Sequence, residues 1–328
     1  MDTGTHIAMG IALGGIATLD PAVQSDPTLF HAVLVGTIAG SHAPDFDTVL
    51  KLKNNATYLR HHRGVTHSLP AIVIWGILIS SIIYLFVPGV SFLHLWAWIF
   101  LAVGLHVFVD IFNAYGTQAG RPFTNKWIAF GFINTFDPFI FILHIVGIIA
   151  WVLGANPGYT WLIIYTVIAM YYIKRYLDKR EIVKKIYDYF PTTEKIATSP
   201  TIKQNYWRVA ITTSENFYVG SVDNGHILII DEFDKVPLPN SDIMNVAKQD
   251  KNISAFLSFS PVYRWETYEY DNYTEVRLID LRYRSRDYYP FVAVVQIDDN
   301  LNILSSYTGW IYSEKKLKRK LHVGENLI

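Results

Sequence analysis

The chain has 328 residues, 51% of them hydrophobic, and its 28 basic side chains balance its 28 acidic ones. This length allows one large domain or two of ordinary size. The absence of cysteine excludes a disulfide framework and a thiolate metal site.

Charge is distributed unevenly along the chain. The segment from Met1 to Ile173 contains seven Asp, no Glu and six Lys or Arg, whereas the remainder carries 21 acidic and 22 basic residues. Nine of the 11 His lie in the charge-poor segment. We expect no cleavable signal peptide, because the first apolar run lacks a basic leader and contains His6. The pattern predicts a membrane-embedded front part and a soluble back part.

Six apolar runs divide the front part into candidate helices. Four of them are close to the roughly 20 residues that a membrane-spanning helix needs, namely Ser68–Val87, Phe92–Phe112, Phe136–Leu153 and Tyr159–Tyr172. The runs Thr5–Leu19 and Leu29–Ala39 are shorter and rich in Gly and Ala, so each is a short or tilted span or a helix buried among the others. A water-soluble bundle is the alternative, but these runs lack polar outer faces.

Loop charges predict the orientation, because basic residues close to a span resist translocation. All six basic residues of the front part lie in two loops, Lys51–Arg63 and Arg121–Lys126, and a basic segment, Lys174–Lys185, follows the last run. These segments alternate with loops that carry no basic residue. The pattern predicts a multi-pass protein of the cell membrane with six crossings and both termini in the cytoplasm.

Most ionisable groups of the front part fall at the predicted cytoplasmic face. Asp137 opens the fifth helix there, and the other members are His6, His42, Asp45, Asp47, His61, His62, His67, His106 and Asp110. Ionisable groups inside a membrane protein normally pair with one another or bind ions. We therefore expect the fold to gather them into one site. His31, His94 and His144 fall on the outer side or in mid-span, and His226 and His322 lie in the soluble part, so none of these receives a catalytic role.

The spacing of these residues favours a metal site. His106 and Asp110 are four residues apart, so both project from one helix face. Asp45 and Asp47 follow Pro44 in a turn, and His67 stands at a helix start. Imidazole combined with carboxylate suits Zn best here, with Mn or Fe as alternatives. One or two ions that share a bridging Asp would fit, as in two-metal hydrolases.

Each of these motifs also has a common structural explanation. A His and an Asp four residues apart are often only hydrogen-bonded to each other, and a Pro-Asp-x-Asp stretch is often a turn. His6 can be an interface residue, and Arg63 can either orient a substrate phosphate or pair with an Asp of the site. The metal hypothesis depends on the motifs coinciding at one face.

Four motifs in this order resemble a known family. They are Thr5-His6, "HAPDFD" from residue 42, "HRGVTHS" from residue 62 and "HVFVD" from residue 106. Together they resemble the bacterial inner-membrane metal-dependent hydrolases, some of whose members are described as LexA-binding. The resemblance covers roughly residues 1–180. It implies a hydrolase site carried by His6, Asp45, Asp47, His62, Arg63, His67, His106 and Asp110.

A more distant similarity is to the helical zinc phospholipase C and single-strand nuclease families, whose three-metal site uses the chain's terminal amine. This sequence lacks their later H-x-x-x-E motif, so the resemblance does not extend to a third metal.

The back part reads as a small antiparallel β-rich (α+β) domain. Ile173–Phe190 is typical of a basic helix that continues from the last span and ends at Pro191. From Trp207 onward, β-branched and aromatic residues alternate between Asn- and Asp-rich turns, with a possible helix over Ser241–Leu257. The predicted domains are 1–180 in the membrane, a helix end at 181–191, and a cytoplasmic domain at 192–328.

The predicted function is metal-dependent hydrolysis at the cytoplasmic membrane face. The metal activates a water molecule, and Asp45 or Asp47 orients it or takes a proton, with Arg63 beside them. The favoured substrate is an ester or phosphoester of a membrane lipid or lipid-linked molecule. The alternative is a non-enzymatic regulator or scaffold with a structural metal, acting on transcription through a protein partner of the β domain. We expect no direct nucleic-acid binding.

Overall fold

The computed structural model describes residues 1–321 and divides them into two compact units. The helical unit comprises Met1–Asp47, Arg63–Glu181 and Ser199–Gln204. The β unit comprises Thr48–His62, Ile182–Thr198 and the chain from Asn205 onward. The short segment Thr48–His62 thus interrupts the helical unit in sequence and packs with the β unit.

Helices make up the first part of the chain. They are α1 (Thr3–Ile16), α2 (Pro21–Ser25), α3 (Pro27–Gly40), α4 (Asn55–His61), α5 (Leu69–Phe86), α6 (Phe92–Asp110), α7 (Pro138–Val152) and α8 (Pro157–Tyr189). Two 3₁₀ segments, Ala43–Leu52 and Val65–His67, flank α4. The helical region predicted from the sequence is confirmed.

Several helices begin with the same local signal. Asp26 and Asp137 cap α3 and α7 by accepting hydrogen bonds from backbone N–H groups of the first turn, and a proline follows each cap. Ser68 does the same for α5. Such caps satisfy N–H groups that have no partner within the helix, and proline there sacrifices no hydrogen bond.

Small residues allow α1 and α3 to approach closely. A Cβ atom added at Gly10 would lie 2.6 Å from the Cα atom of Ile38 and 2.8 Å from the carbonyl oxygen of Thr37. Only glycine fits this contact, which is the small-residue packing common between membrane helices. The contact sets the position of α1, which carries His6.

Among the described residues, α5 and α6 are long and apolar enough to cross a membrane. The helix α1 with its 3₁₀ continuation to Leu19, and the helices α3 and α7, are apolar but shorter. Many apolar side chains on α5 and α7 are exposed, among them Ile74, Ile77, Ile145 and Ile149. An apolar outer surface of this kind is what a lipid environment stabilises.

The β unit contains two four-stranded sheets. The first has β1 (Thr193–Pro200), β2 (Tyr206–Thr213), β3 (Asn216–Asp223) and β4 (His226–Asp234) in sequential order. The second has β5 (Tyr263–Tyr270), β6 (Tyr273–Asp280), β7 (Phe291–Asp298) and β8 (Ile303–Trp310), also in order. The pairs from β2 to β4 and from β5 to β8 are antiparallel, which confirms the predicted antiparallel β part.

One turn shows how sequence determines strand pairing. Asp223 pairs with His226 at the end of β3 and β4, so only Asn224 and Gly225 form the turn. Both residues have positive φ, 47° and 81°. An Asn-Gly pair tolerates this conformation better than other residues, and it fixes the register of the hairpin.

Three helices complete the β unit: α9 (Asp242–Gln249), α10 (Lys251–Phe259) and α11 (Glu314–Leu321). The single helix predicted over Ser241–Leu257 is therefore two helices, with Asp250 capping the second. The helix α4 packs in this unit, where Asn55 Nδ2 donates to the Thr308 carbonyl oxygen at 3.0 Å and Arg60 donates to Ser254 Oγ at 2.9 Å.

Candidate metal centre

Four predicted residues of the helical unit form one buried cluster. Asp45, His67, His106 and Asp110 each offer one ligand atom, and these four atoms all lie within 4.8 Å of one another. Asp45 comes from the 3₁₀ segment after α3, His67 from the turn before α5, and the other two from the last turns of α6. Three chain segments therefore converge on this cluster.

The two imidazoles face each other through the same ring atom. His67 Nε2 lies 3.2 Å from His106 Nε2. Both Nε2 atoms are also close to carboxylates: His67 Nε2 lies 3.5 Å from Asp45 Oδ1, and His106 Nε2 lies 3.8 Å from Asp110 Oδ2. The nitrogen and oxygen atoms thus point toward a common centre.

Hydrogen bonds on the far side of the rings fix the tautomers. His106 Nδ1 lies 2.6 Å from the Ser41 carbonyl oxygen, which can only accept, so Nδ1 carries the proton. Thr66 Oγ1 donates to Asp47 Oδ2 at 2.6 Å and lies 3.1 Å from His67 Nδ1, so this Nδ1 donates to Thr66. In the neutral rings both Nε2 atoms then present lone pairs to each other.

Opposed lone pairs at this distance repel unless a proton or cation lies between them. Metal-binding His residues commonly donate their second ring N–H to a carbonyl or carboxylate, as His106 does to Ser41. Two imidazoles and two carboxylates also match the donor set preferred by zinc and similar ions. The arrangement of these residues therefore fits a divalent metal.

Burial and neighbouring charges set the protonation of the groups outside the helices. Burial lowers the pKa of the His67 ring, and the neighbouring Asp45 carboxylate opposes this only in part. Burial raises the pKa of the Asp45 carboxyl, but the neighbouring His67, His106 and Arg63 side chains outweigh it, so this pKa is well below its usual range. A neutral imidazole beside an ionised carboxylate is the state that binds metal.

Asp110 also has two basic neighbours. Arg63 NH2 lies 3.2 Å from its Oδ2 atom, and the terminal amine of Met1 pairs with its Oδ1 atom. Burial and the charge of Arg63 lower the pKa of that amine well below its usual value. Arg63 has a φ of 59°, in the left-handed region that residues other than glycine seldom adopt.

The other predicted residues lie around the cluster or away from it. His6 stacks on His106 with ring centroids 3.7 Å apart, and its Nε2 atom lies 3.0 Å from the Met1 amine and 3.4 Å from Asp110 Oδ1. Within the described chain, His6 Nδ1 is buried without a hydrogen-bond partner. Asp47 lies behind His67, with Oδ2 3.8 Å from Nδ1, and accepts from the Arg63 backbone N–H at 3.0 Å.

Two predicted histidines have different surroundings. His42 is half-buried and meets the ring of Phe46 edge-on at 5.6 Å. His62 ends α4 in the β unit and stacks on Tyr58 with centroids 4.4 Å apart. Their assignment as metal ligands stays a prediction, as does the assignment of the whole predicted set.

Sequence reasoning missed the groups that support the cluster. The Ser41 carbonyl is a backbone atom and has no signal in the sequence, and Thr66 is not among the predicted site residues. Asp137, which the sequence places at the start of a helix, caps α7 and accepts a hydrogen bond from Tyr171 at 2.8 Å. His94, which received no catalytic role, pairs with Asp20 at 2.6 Å.

Three regions of the chain match known protein families. Residues 1–182 match the family described as YdjM inner membrane protein. Residues 191–233 match the YfhP middle domain, and residues 242–321 match the YfhP C-terminal alpha/beta plait domain. No solved structure matches the chain.

A full-length relative is also found. The chain is 59% identical over 325 residues to a protein of Bacillus subtilis (strain 168) described as "Uncharacterized protein YfhP", with 99% of each chain covered. The membrane-associated family expected from the sequence is thereby confirmed at this level. Because the family model covers more than half of its length, the chain belongs to the YdjM inner membrane protein family.

Proposed function

We propose that the chain is a membrane-bound, metal-dependent hydrolase. Asp45, His67, His106 and Asp110 hold the metal, with zinc favoured over Mn and Fe. The observation that carries the proposal is the opposition of the two Nε2 atoms at 3.2 Å, each fixed by a hydrogen bond at Nδ1. Together with the two carboxylates, this geometry directs four donor atoms toward a common centre that a divalent cation would occupy.

The chain's own groups would assist hydrolysis in distinct ways. A bound metal supplies an activated water and a Lewis acid. Asp45 is the most accessible of the four ligands, with 12% of its side chain exposed, and it is placed to orient the attacking water. Arg63, held against Asp110, is placed to contact a phosphoryl oxygen. Asp47 fixes the orientation of His67 through Thr66.

The substrate we propose is an ester or phosphoester of a membrane lipid or lipid-linked molecule. Its support is the membrane family and the apolar outer surface of the helices. We further propose six crossings with both termini in the cytoplasm, so that the cluster lies at the cytoplasmic face. The loop charges support this orientation.

A second function, a structural metal site in a regulator, is favoured by one observation. His67, His106 and Asp110 are completely buried, as ligands of a closed structural site would be. In this case the β unit would bind a protein partner and act on transcription without touching nucleic acid itself. The resemblance to LexA-binding family members supports this alternative.

Elemental analysis and hydrolysis assays on the detergent-purified chain test the proposal. We expect a stoichiometric metal and cleavage of bis(p-nitrophenyl) phosphate or of a fluorescent phospholipid. His106→Ala should lose both, with metal affinity falling by more than the roughly 10–100-fold typical of outer-sphere changes. His94→Ala is the control and should keep both, because it removes a His of the same unit outside the cluster.

Three results separate the alternatives. Metal and hydrolysis that disappear together with a chelator support the hydrolase. Stoichiometric metal without hydrolysis of either substrate favours the structural site. Full metal content in His106→Ala overturns the cluster as the metal centre.

A further inference from the structure

An apolar groove lies between α6, α7 and α8 in the helical unit. Its volume is about 520 Å³, and most of its wall is hydrophobic, including Met9, Leu105, Phe108, Val109, Ile168 and Ala169. This volume falls within the roughly 300–1,000 Å³ of typical small-ligand sites. The groove is therefore large enough for one long hydrocarbon chain.

The groove and the metal cluster share one helix. Leu105 and Val109 of α6 line the groove, and their neighbours His106 and Asp110 belong to the cluster. Met1 also lines the groove while its amine pairs with Asp110. A molecule in the groove would thus lie one side chain away from the cluster.

The groove opens on the apolar outer surface of the helices. Phe108 and Ile173, on opposite walls, are 55% and 61% exposed. The polar groups of His144 and Tyr165, which also line it, lie 3.5 Å apart and can satisfy each other. The exposed wall residues are apolar and the two polar groups can pair with each other, so an apolar chain could enter the groove from a bilayer.

Cations stand beside two residues of the groove wall. Lys179 Nζ donates to the carbonyl oxygen of Phe130, and the guanidinium of Arg180 lies 6.0 Å from the centre of the Tyr176 ring. Phe130 and Tyr176 both line the groove. A positive rim next to an apolar channel is complementary to an anionic lipid, whose phosphate and chain are covalently joined.

We propose that this groove binds one acyl chain of an anionic phospholipid, with Lys179 and Arg180 attracting its phosphate. Binding of the lipid does not depend on the proposed function, but its role as the substrate does. Binding of the chain would hold the lipid's ester region beside α6, where His106 and Asp110 end the helix. Substrates without a long chain would lose this positioning.

Photo-crosslinking of the full chain in lipid bilayers tests the groove. The probe is phosphatidylglycerol with a diazirine on one acyl chain, and labelled peptides are mapped by mass spectrometry. We expect labels on groove residues of α6 and α8. Ala169→Trp should reduce them several-fold, because Ala169 is exposed in the groove and a large side chain there fills it.

A matched control is available on α6. Ala97 is an exposed alanine outside the groove, so Ala97→Trp should leave the labelling unchanged. Unchanged metal content in Ala169→Trp would show that the helices are still folded around the cluster. A phosphatidylcholine probe should label the groove several-fold less, and Lys179→Gln should diminish this preference.

Equal groove labelling in Ala169→Trp and the unaltered chain would overturn the inference, as would equal labelling by both headgroups. The proposed function fails separately. If the groove is labelled but phosphatidylglycerol is not hydrolysed, the lipid-binding site is supported and the proposed hydrolase activity is contradicted. If short-chain and long-chain esters are hydrolysed at the same rate and the groove is not labelled, the hydrolase activity is supported and the lipid-binding site is contradicted.

Discussion

The buried carboxylates of the two units have different kinds of partner. In the β unit, carboxylates meet arginines: Asp280 is fully buried and receives Arg282 Nε at 3.0 Å and NH2 at 2.6 Å. In the helical unit, two carboxylates and two imidazoles converge, and Arg63 pairs with one of these carboxylates, Asp110.

The two units differ in how the charge of a buried carboxylate is compensated. A buried charge is costly unless partners satisfy it, and the bidentate pair of Asp280 and Arg282 achieves this within the chain. The cluster in the helical unit instead brings four ligand atoms within 4.8 Å of one another. Such a cluster could hold a metal ion, whereas the ion pairs of the β unit serve the fold.

Among changes that leave the four proposed ligands intact, the largest expected effect comes from Thr66→Val, which keeps the shape of the side chain but removes its hydroxyl. His67 Nδ1 loses its acceptor, and Asp47 loses the donor at 2.6 Å. We expect metal affinity to fall about 10–100-fold, as is typical when the groups that orient a ligand are removed. Competition with a chelator of known affinity measures the change.

Thr166→Val is the control for this experiment. Thr166 is exposed and its hydroxyl donates to the carbonyl oxygen of Leu162 within α8, so metal affinity should not change. If the two variants bound metal with equal affinity, Thr66 would not orient a metal ligand, and the cluster would not differ from the ion pairs of the β unit in this respect.

A smaller effect is expected in the β unit from Asp231→Asn. Asp231 Oδ2 accepts hydrogen bonds from Arg284 Nε at 2.5 Å and from Tyr289 Oη at 2.6 Å. Partial burial raises the pKa of Asp231, but these hydrogen bonds outweigh it and hold the pKa below its usual value of 3.8. We expect a loss of about 1 kcal/mol in the free energy of unfolding at neutral pH.

The pH dependence of this loss has a defined sign. Because the folded pKa lies below the unfolded one, the stabilisation is complete above about pH 4. It disappears as the pH falls through the folded pKa, so the difference between the two proteins should vanish in acid. Urea unfolding of the β-sheet signal measures it, with Asp299→Asn in an exposed turn as the control. A difference that persists in acid would assign the effect to packing.

The smallest effect is expected from Lys235→Gln. Lys235 Nζ lies 2.6 Å from Glu194 Oε2, but the two side chains are 30% and 52% exposed. Solvent screens such a pair, so the free energy of unfolding should change by about 0.5 kcal/mol or less. A loss as large as that of Asp231→Asn, in the same urea experiment, would mean that exposure does not separate the two pairs.

The long apolar helices were the most predictable part of the fold. The predicted run Ser68–Val87 became α5 at Leu69–Phe86, because uninterrupted hydrophobicity determines such a helix locally. The helix α4 and strand β1 were missed. The position of α4 depends on contacts such as Asn55 with Thr308, 253 residues away, which no local pattern encodes.

The cluster was predictable in its residues and only partly in its geometry. The spacing of His106 and Asp110 placed both on one face of α6, and they are found together with Asp45 and His67. The fixing of the His106 ring by a backbone carbonyl was not predictable, since every residue has such a carbonyl. The cap formed by Asp137 shows the converse, because a carboxylate at a helix start has two roles that the sequence does not distinguish.

The left-handed backbone at Arg63 has a consequence for comparing related chains. A residue with a side chain is disfavoured there by about 1–2 kcal/mol, and glycine would avoid this cost. A relative with glycine at this position would keep the turn, and even gain stability, while losing the guanidinium beside Asp110. Such a substitution would separate the two roles of this position, the backbone turn and the guanidinium.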